Sequence, residues 1–382
     1  MTLLSLADAF LINPPVRISK GASTPFIAMD DVEPFRRDVR SSSYLRPYSG
    51  GAKFIPGDIV MARITPSLEN GKTSRYVSDG QEPAAGSTEF IVIRGRDGVS
   101  DTSFAYYLFT STEIREFAIS QMNGSSGRQR VQTDSLATYK ISLPPLAEQR
   151  GIAATLGALD DKIESNRRLI SLIPELVRNR IDQILAEESQ EIPVSEMAQF
   201  VNGGAYTKGA SGTGRMVIRI AELNSGPGGS TVYNDINVPN DKLASAGDLL
   251  MSWSGSLGLY RWYRDEAIIN QHIFKVIPEQ YPAWLVFDRL QSVMSIFKGI
   301  AQDKATTMGH IQRGHLESTM VTLPSKKAIS SLDTELSPLW IRLLLAEREN
   351  IKLASLRDTL LPELLSGRIR VPEAQEAVEA VI

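Results

Sequence analysis

Arg36, Arg37, Arg40 and Arg46 fall within eleven residues, RRDVRSSSYLR, with Ser41, Ser42, Ser43 and Tyr44 between them. Guanidinium groups beside small hydroxyls suit hydrogen bonding to phosphate oxygens and base edges. A Gly-Ser loop, GSSGRQRVQ (124–132), carries Ser125, Arg128, Arg130 and Gln132. A third stretch, DKATTMGHIQRGH (303–315), carries Lys304, Thr306, Thr307, His310, Gln312 and Arg313. Lys53, Arg63, Lys72 and Arg75 add donors to the first half of the chain, and Trp253, Arg261, Trp262 and Arg264 to the second. Taken singly, each is as readily an ordinary solvated surface charge as a nucleic-acid contact. The two loops stand apart because they recur at matching places in the chain.

Residue sets that would do covalent chemistry are incomplete. Asn13-Pro14-Pro15 has the start of an Asn-Pro-Pro-aromatic methyl-transfer motif, but Val16 stands where a ring would stack on a flipped base. No glycine-rich strand–turn–helix flanks it, so the segment reads as a rigid turn. Gly71-Lys72-Thr73 looks like the end of a phosphate loop, yet the glycine needed five positions earlier is Pro66. The three histidines, His272, His310 and His315, have no cysteine to support them. His310 and His315 are also spaced wrongly for a helical metal pair, which argues against zinc. Asp160-Asp161 reads as the solvated face of a helix. The glycine-rich stretch 200–214 opens no helical pattern and reads as a mobile loop that DNA would order. The residues that remain are suited to binding.

The chain has 382 residues, too many for one ordinary core, and its 42% hydrophobic and 22% charged content is that of a globular protein. Net charge is −3, so affinity for a polyanion must come from clustered cations. The absence of cysteine removes disulfides and thiolate sites and points to a cytoplasmic location. No apolar run of about 18 residues is present, and the start has no basic segment of a signal peptide.

The elements that must position the donors are duplicated. GDIVMAR (57–63) returns as GDLLMSW (247–253), SLADAFLIN (5–13) as SEMAQFVN (195–202), and TPFIAMDDVE (24–33) as RMVIRIAELN (215–224). RVQTDSLATYKISLPP (130–145) returns as HIQRGHLESTMVTLPS (310–325). One whole unit is used twice. Each copy begins as a mixed domain with β-rich runs such as FIVIR (90–94) and HIFKVI (272–277) and an amphipathic helix over 103–119. Each ends in a long heptad helix. The first seam runs Ile152, Leu156, Leu159, Ile163, Asn166, Ile170, Ile173, Val177, Arg180, Ile184. The second runs Leu336, Leu339, Leu343, Ala346, Asn350, Leu353, Arg357, Leu360, Leu364. An asparagine in a seam penalises wrong registers, and Pro174 and Pro362 are expected to kink or restart their helices.

At 143–168 the chain reads LPPLAEQRGIAATLGALDDKIESNRR. Pro144, Pro145, Leu146, Glu148, Gln149, Asp161, Lys162, Ile163 and Asn166 resemble the conserved helical region of Type I restriction–modification specificity subunits. GDIVMARITPSLENGKTS (57–74) is similar to one kind of recognition domain in that family. After Leu323-Pro324 the second copy reads SKKAISSLDTEL, a departure that puts in doubt whether both helices meet partners alike. The resemblance covers nearly the whole chain.

It implies an α+β protein: two mixed α/β target recognition domains in tandem, separated by two long antiparallel coiled-coil helices, with pseudo-twofold symmetry. The expected divisions are a first recognition domain at 1–145, a spacer helix at 146–188, a second domain at 189–325, a second spacer helix at 326–372 and an acidic tail at 373–382. It further implies a non-catalytic subunit that reads a bipartite, asymmetric double-stranded DNA target. Two copies of a DNA methyltransferase (modification) subunit would flank it, contacting Glu148, Gln149, Arg150, Lys162 and Arg167, and restriction subunits would join. S-adenosylmethionine, ATP and Mg would then belong to those partners. A coiled-coil scaffold that reads no DNA is the alternative, and on helix pattern alone it has the stronger case; the duplicated mixed domains shift the balance.

Overall fold

The computed structural model describes residues 2–40, 45–80, 82–125, 127–186, 189–303 and 309–382. The chain divides into two compact units, Met1–Lys162 with Leu353–Ile382, and Ile163–Lys352.

In the first unit a five-stranded sheet runs in the order Phe10–Ile12, Phe90–Gly95, Ile59–Ala62, Thr73–Val77, Asp38–Arg40. A second sheet runs Leu45–Pro47, Ser23–Ile27, Ala84–Gly86, Ala52–Phe54, with its central pair parallel. Thr2–Ser5 pairs antiparallel with Lys140–Leu143, tying the chain's start to the strand that leads into the first long helix.

The second unit repeats this order, without a counterpart of Asp38–Arg40 among the described residues. Its sheets run Ala198–Asn202, Ile273–Pro278, Leu249–Ser252, Gly258–Arg261, and Tyr233–Asn234, Arg215–Ile218, Ala267–Ile269, Leu243–Ala244, again with a parallel central pair. Ser189–Pro193 closes on Met320–Pro324 as its counterpart does. The repeated Gly-Asp has a local cause. Gly57 (φ 95°) and Gly247 (φ 104°) take left-handed conformations, and the following aspartates cap identical turns. Asp58 accepts from the Ile55 N–H at 2.8 Å, and Asp248 from that of Ser245 at 2.7 Å. The strand after each turn is apolar but for Ser252 because both its faces are covered: Ile59–Ala62 and Leu249–Ser252 are wholly buried.

The long helices span Leu146–Leu185 and Lys326–Ser366. Within the first unit, Ile152, Leu156 and Leu159 are buried, as are Leu353, Leu360 and Leu364. Within the second, Ile173, Val177 and Ile181 join Leu332, Leu336, Trp340 and Leu343 in one apolar cluster with the sheet residues. Burial of each such side chain contributes about 1.5–3 kcal/mol.

Several expectations are corrected. Neither helix restarts at its proline: both run through Pro174 and Pro362 without a break. Arg180 is exposed and Ile181 takes its place in the seam, since Ile173, Val177 and Ile181 follow at four-residue steps and rotate the buried stripe. The amphipathic stretch 103–119 forms two helices, Thr102–Thr110 and Thr112–Ser120, because Ser111 turns extended and its hydroxyl caps the second. The expected acidic tail contains most of a helix, Val371–Glu379, with Ala374 and Val378 buried.

Candidate nucleic-acid interface

In the first unit, Met122–Asn123 and Arg130–Val131 pair antiparallel and bring the two ends of the intervening stretch together. Ser125 and Arg128 are exposed there, and the Arg128 N–H donates to the Ser125 carbonyl at 3.0 Å. Arg130 is half-buried and forks onto Glu89, with contacts of 2.7 and 3.0 Å, and these hydrogen bonds hold its guanidinium above the usual arginine range. Gln132 is exposed at the start of the helix Thr133–Thr138.

The second unit offers the same stretch. Gln312 and Arg313 are exposed at the start of the helix Arg313–Ser318, and His315 Nδ1 accepts from the Gln312 N–H at 3.0 Å. His310 is half-buried and bridges to Ser254 through the main chain. Lys304, Thr306 and Thr307 lie outside the described residues.

The arginine-rich segment does not form one surface. Arg40 is exposed and pairs with Asp79 at 3.0 Å, and Arg36 pairs with Glu33 at 2.6 Å. Arg46 is exposed with its guanidinium 4.9 Å from the Phe26 ring centre. Arg37 is withdrawn from the surface. It donates to Asp161 at 2.5 Å, to the Gly157 carbonyl at 3.0 Å and to Asp38 at 2.8 Å, fastening the domain to the first long helix within this unit. Burial pulls its pKa down, but the bonds to Asp38 and Asp161 outweigh that and raise it. Asp38 in turn is held below its ordinary range: burial pushes it up, but donors from Arg37 and Arg75 overcome this. Lys72 also turns inward, donating to the Met29 carbonyl at 2.9 Å. Ser41–Tyr44 lie outside the described residues.

Of the residues expected to meet partners, Arg150 is exposed, while Lys162 and Arg167 are half-buried. Glu148 accepts from Arg370 at 3.3 Å. Gln149 is fully buried, which corrects its reading as a surface contact. Its amide donates to the carbonyls of Val99 (3.0 Å) and Pro144 (2.8 Å), and its oxygen accepts from the Asp101 N–H at 2.9 Å. All three groups of the side chain's hydrogen bonding are therefore internal.

Two further candidates are structural. Arg261 is buried against Glu347 at 2.7 Å with its guanidinium 4.5 Å from the Trp340 ring centre. Burial lowers the Arg261 pKa and raises that of Glu347. Trp262 is buried and donates to the Asp265 carbonyl at 2.9 Å. Among the described residues no group of three or more His, Asp or Glu could hold a metal ion, and no helix is long and apolar enough to cross a membrane.

Glu89 escaped sequence reasoning, and His272 was weighed only as a metal ligand. Neither belongs to a motif, and only strand pairing brings Glu89 to Arg130 and His272 to Ser254, whose Oγ is 2.9 Å from its Nδ1.

Residues 36–175 match the family model of the Type I restriction modification DNA specificity domain. The chain is 29% identical over 153 residues to the Type I restriction enzyme EcoAI specificity subunit of Escherichia coli, covering 39% of this chain and 26% of that protein. It is 20% identical over 333 residues to the MjaIX specificity subunit of Methanocaldococcus jannaschii, covering 78% of this chain and 76% of that one. The matched stretch is thus about a quarter of the first relative's length and three quarters of the second's. In fold it is similar to a solved Type-I restriction-modification system S subunit from M. genitalium, with a TM-score of 0.60, 15% identity and 95% of each chain covered.

Proposed function

We propose that this chain, a relative of the Type I restriction–modification specificity subunits, reads a bipartite, asymmetric double-stranded DNA target and directs adenine methylation and restriction by partner subunits. One observation carries the reading. Two units of the same strand order present the same stretch of chain, with Arg128 and Gln132 exposed in one and Gln312 and Arg313 in the other. Arginine and glutamine are the side chains that make bidentate contacts to guanine and adenine edges, and arginine also neutralises phosphate. A duplicated reader whose two copies hold their arginine and glutamine at different places in the stretch suits a target whose halves differ.

The chemistry would then belong to partners. Two methyltransferase subunits would dock along the long helices near Arg150, Lys162 and Arg167, bringing S-adenosylmethionine, while restriction subunits would bring ATP and Mg, all in the cytoplasm.

Co-expression with a modification subunit, followed by methylation-site sequencing of host DNA, tests the reading. A split motif that vanishes when this chain is omitted is the expected result. Methylation independent of this chain, or a complex without sequence preference, would overturn it and favour a scaffold.

A further inference from the structure

The two units share a backbone cradle at the end of the strands Ile59–Ala62 and Leu249–Ser252. In the first, the Arg63 N–H donates to the Glu89 carbonyl at 2.9 Å, and the Arg63 carbonyl accepts from the Val131 N–H at 2.8 Å. In the second, the Trp253 N–H donates to the His272 carbonyl at 3.2 Å, and the Trp253 carbonyl accepts from the Ile311 N–H at 3.0 Å. A single antiparallel bridge completes each cradle, Ile64 with Arg130 and Ser254 with His310. Arg63, Glu89 and Arg130 thus occupy the same three backbone positions as Trp253, His272 and His310.

The main chain is the same and the side chains share nothing. The first cradle holds two guanidiniums and a carboxylate, the second an indole and two imidazoles. All six residues are half-buried, neither packed away nor fully solvated. Each cradle also buries a donor that has no acceptor at the same position, Arg63 Nε in one and Trp253 Nε1 in the other. Buried donors are nearly always bonded, so an unmatched one repeated in two copies points to an acceptor that arrives with a ligand. In the first unit Arg63 lines a cavity of about 390 Å³ with Lys53, Thr88 and Asn13. The Asn13-Pro14-Pro15 turn is its wall, and the Asn13 amide oxygen is occupied by the Val92 N–H at 2.9 Å.

We propose that these two equivalent triads are the base-reading centres of the two units, with the first taking a guanine through its O6 and N7 acceptors and the second a different base pair. The inference rests on the DNA-reading function above. Glu89 takes the Nε–Nη2 edge of Arg130 and steers the guanidinium, leaving the Nη1–Nη2 edge, with Nη1 on the Arg128 carbonyl at 3.4 Å, as the planar fork that matches a guanine edge. The second triad has no guanidinium, and its indole and imidazoles offer single donors and a flat apolar face. A strand-end position that keeps its main-chain bonds whatever its side chain allows the preference to change without disturbing the fold.

The test uses the full chain in complex with its modification subunit and reads the methylated motif by sequencing. Arg130→Gln and Glu89→Gln are expected to relax a G·C preference at least tenfold in one half-site, with Arg130→Gln shifting it toward adenine. Trp253→Phe, which removes the N–H together with part of the ring, and His310→Gln are expected to alter only the other half-site. If Arg130→Gln fails to fold by circular dichroism, the isosteric Glu89→Gln decides for the first unit. A motif unchanged at every position in the folded variants overturns the inference and leaves DNA reading in place. A wild-type complex with no sequence preference instead removes the function on which it rests.

Discussion

Asn166 donates from its side-chain amide to the Oδ1 of Asn350 at 3.1 Å, one seam residue of each long helix meeting the other within the second unit. The same amide donates to Glu349 at 2.8 Å. Slipping either helix by one heptad would set Asn166 against Leu343 or Arg357 and Asn350 against Leu159 or Ile173, so the contact selects a register at some cost in stability. Asn166→Leu is expected to lower stability by about 1–3 kcal/mol, since it leaves Asn350 unpaired. Asn166→Leu with Asn350→Leu should recover or exceed the wild-type value while admitting other helix pairings. Urea unfolding and native mass spectrometry would read the two effects, and a neutral single variant would refute the register role.

Asp160 is buried in the first unit, where it accepts from Arg357 and from the Tyr107 hydroxyl, both at 2.7 Å. Burial and the neighbouring Asp160 charge raise the Tyr107 pKa, so the phenol stays a donor. Arg357→Ala strands a buried carboxylate and is expected to cost about 3–5 kcal/mol in urea unfolding. A loss under 1 kcal/mol would mean that water replaces the guanidinium.

Asp38 gives the first unit an acid-sensitive joint. Its folded pKa lies below the ordinary 3.8, so its contribution is complete above that value and is lost as pH falls from 3.8 through the depressed folded value. Asp38→Asn should therefore be less stable than wild type at pH 7, with the difference shrinking on acidification through that window. A pH-independent difference in melting temperature would contradict this.

Arg128 and Arg313 are exposed on equivalent stretches and suit phosphate contact. Replacing either by alanine is expected to weaken binding evenly across sequences and to reduce the salt slope by about one counterion. Binding titrations over a salt series would check it. A changed motif would instead make that residue a base reader.

A heptad advances about 10.5 Å and a base pair 3.4 Å, so one heptad added after Asn166 and one near Asn350 should lengthen the unspecified spacer by roughly three base pairs. Both half-sites should keep their bases. Methylome sequencing would show the new spacing, and an old spacing with altered bases would defeat the idea.

The duplication was legible because its turns need glycine and its buried strands need apolar residues, so GDIVMAR and GDLLMSW kept their pattern. The helices were legible from their seams, down to the asparagine in each. Burial of arginine was not. Arg37 and Arg40 are three residues apart and chemically identical, but only Arg37 comes within reach of Asp161, which is 124 residues further along. Nor did any local pattern show that Gln149, part of the most recognisable stretch, is a fully bonded interior joint. Such assignments depend on partners distant in sequence, and the residues themselves carry no sign of them.

The first unit is assembled from two separate stretches, Met1–Lys162 and Leu353–Ile382, with the whole of the second encoded between them. During synthesis its opening stretch must wait for 190 further residues (352 − 162) before its closing helix emerges. At about 5–20 residues per second that is roughly ten to forty seconds. Over that interval the Asp160 carboxylate lacks the Arg357 guanidinium that later covers it. The contiguous second unit meets no such delay.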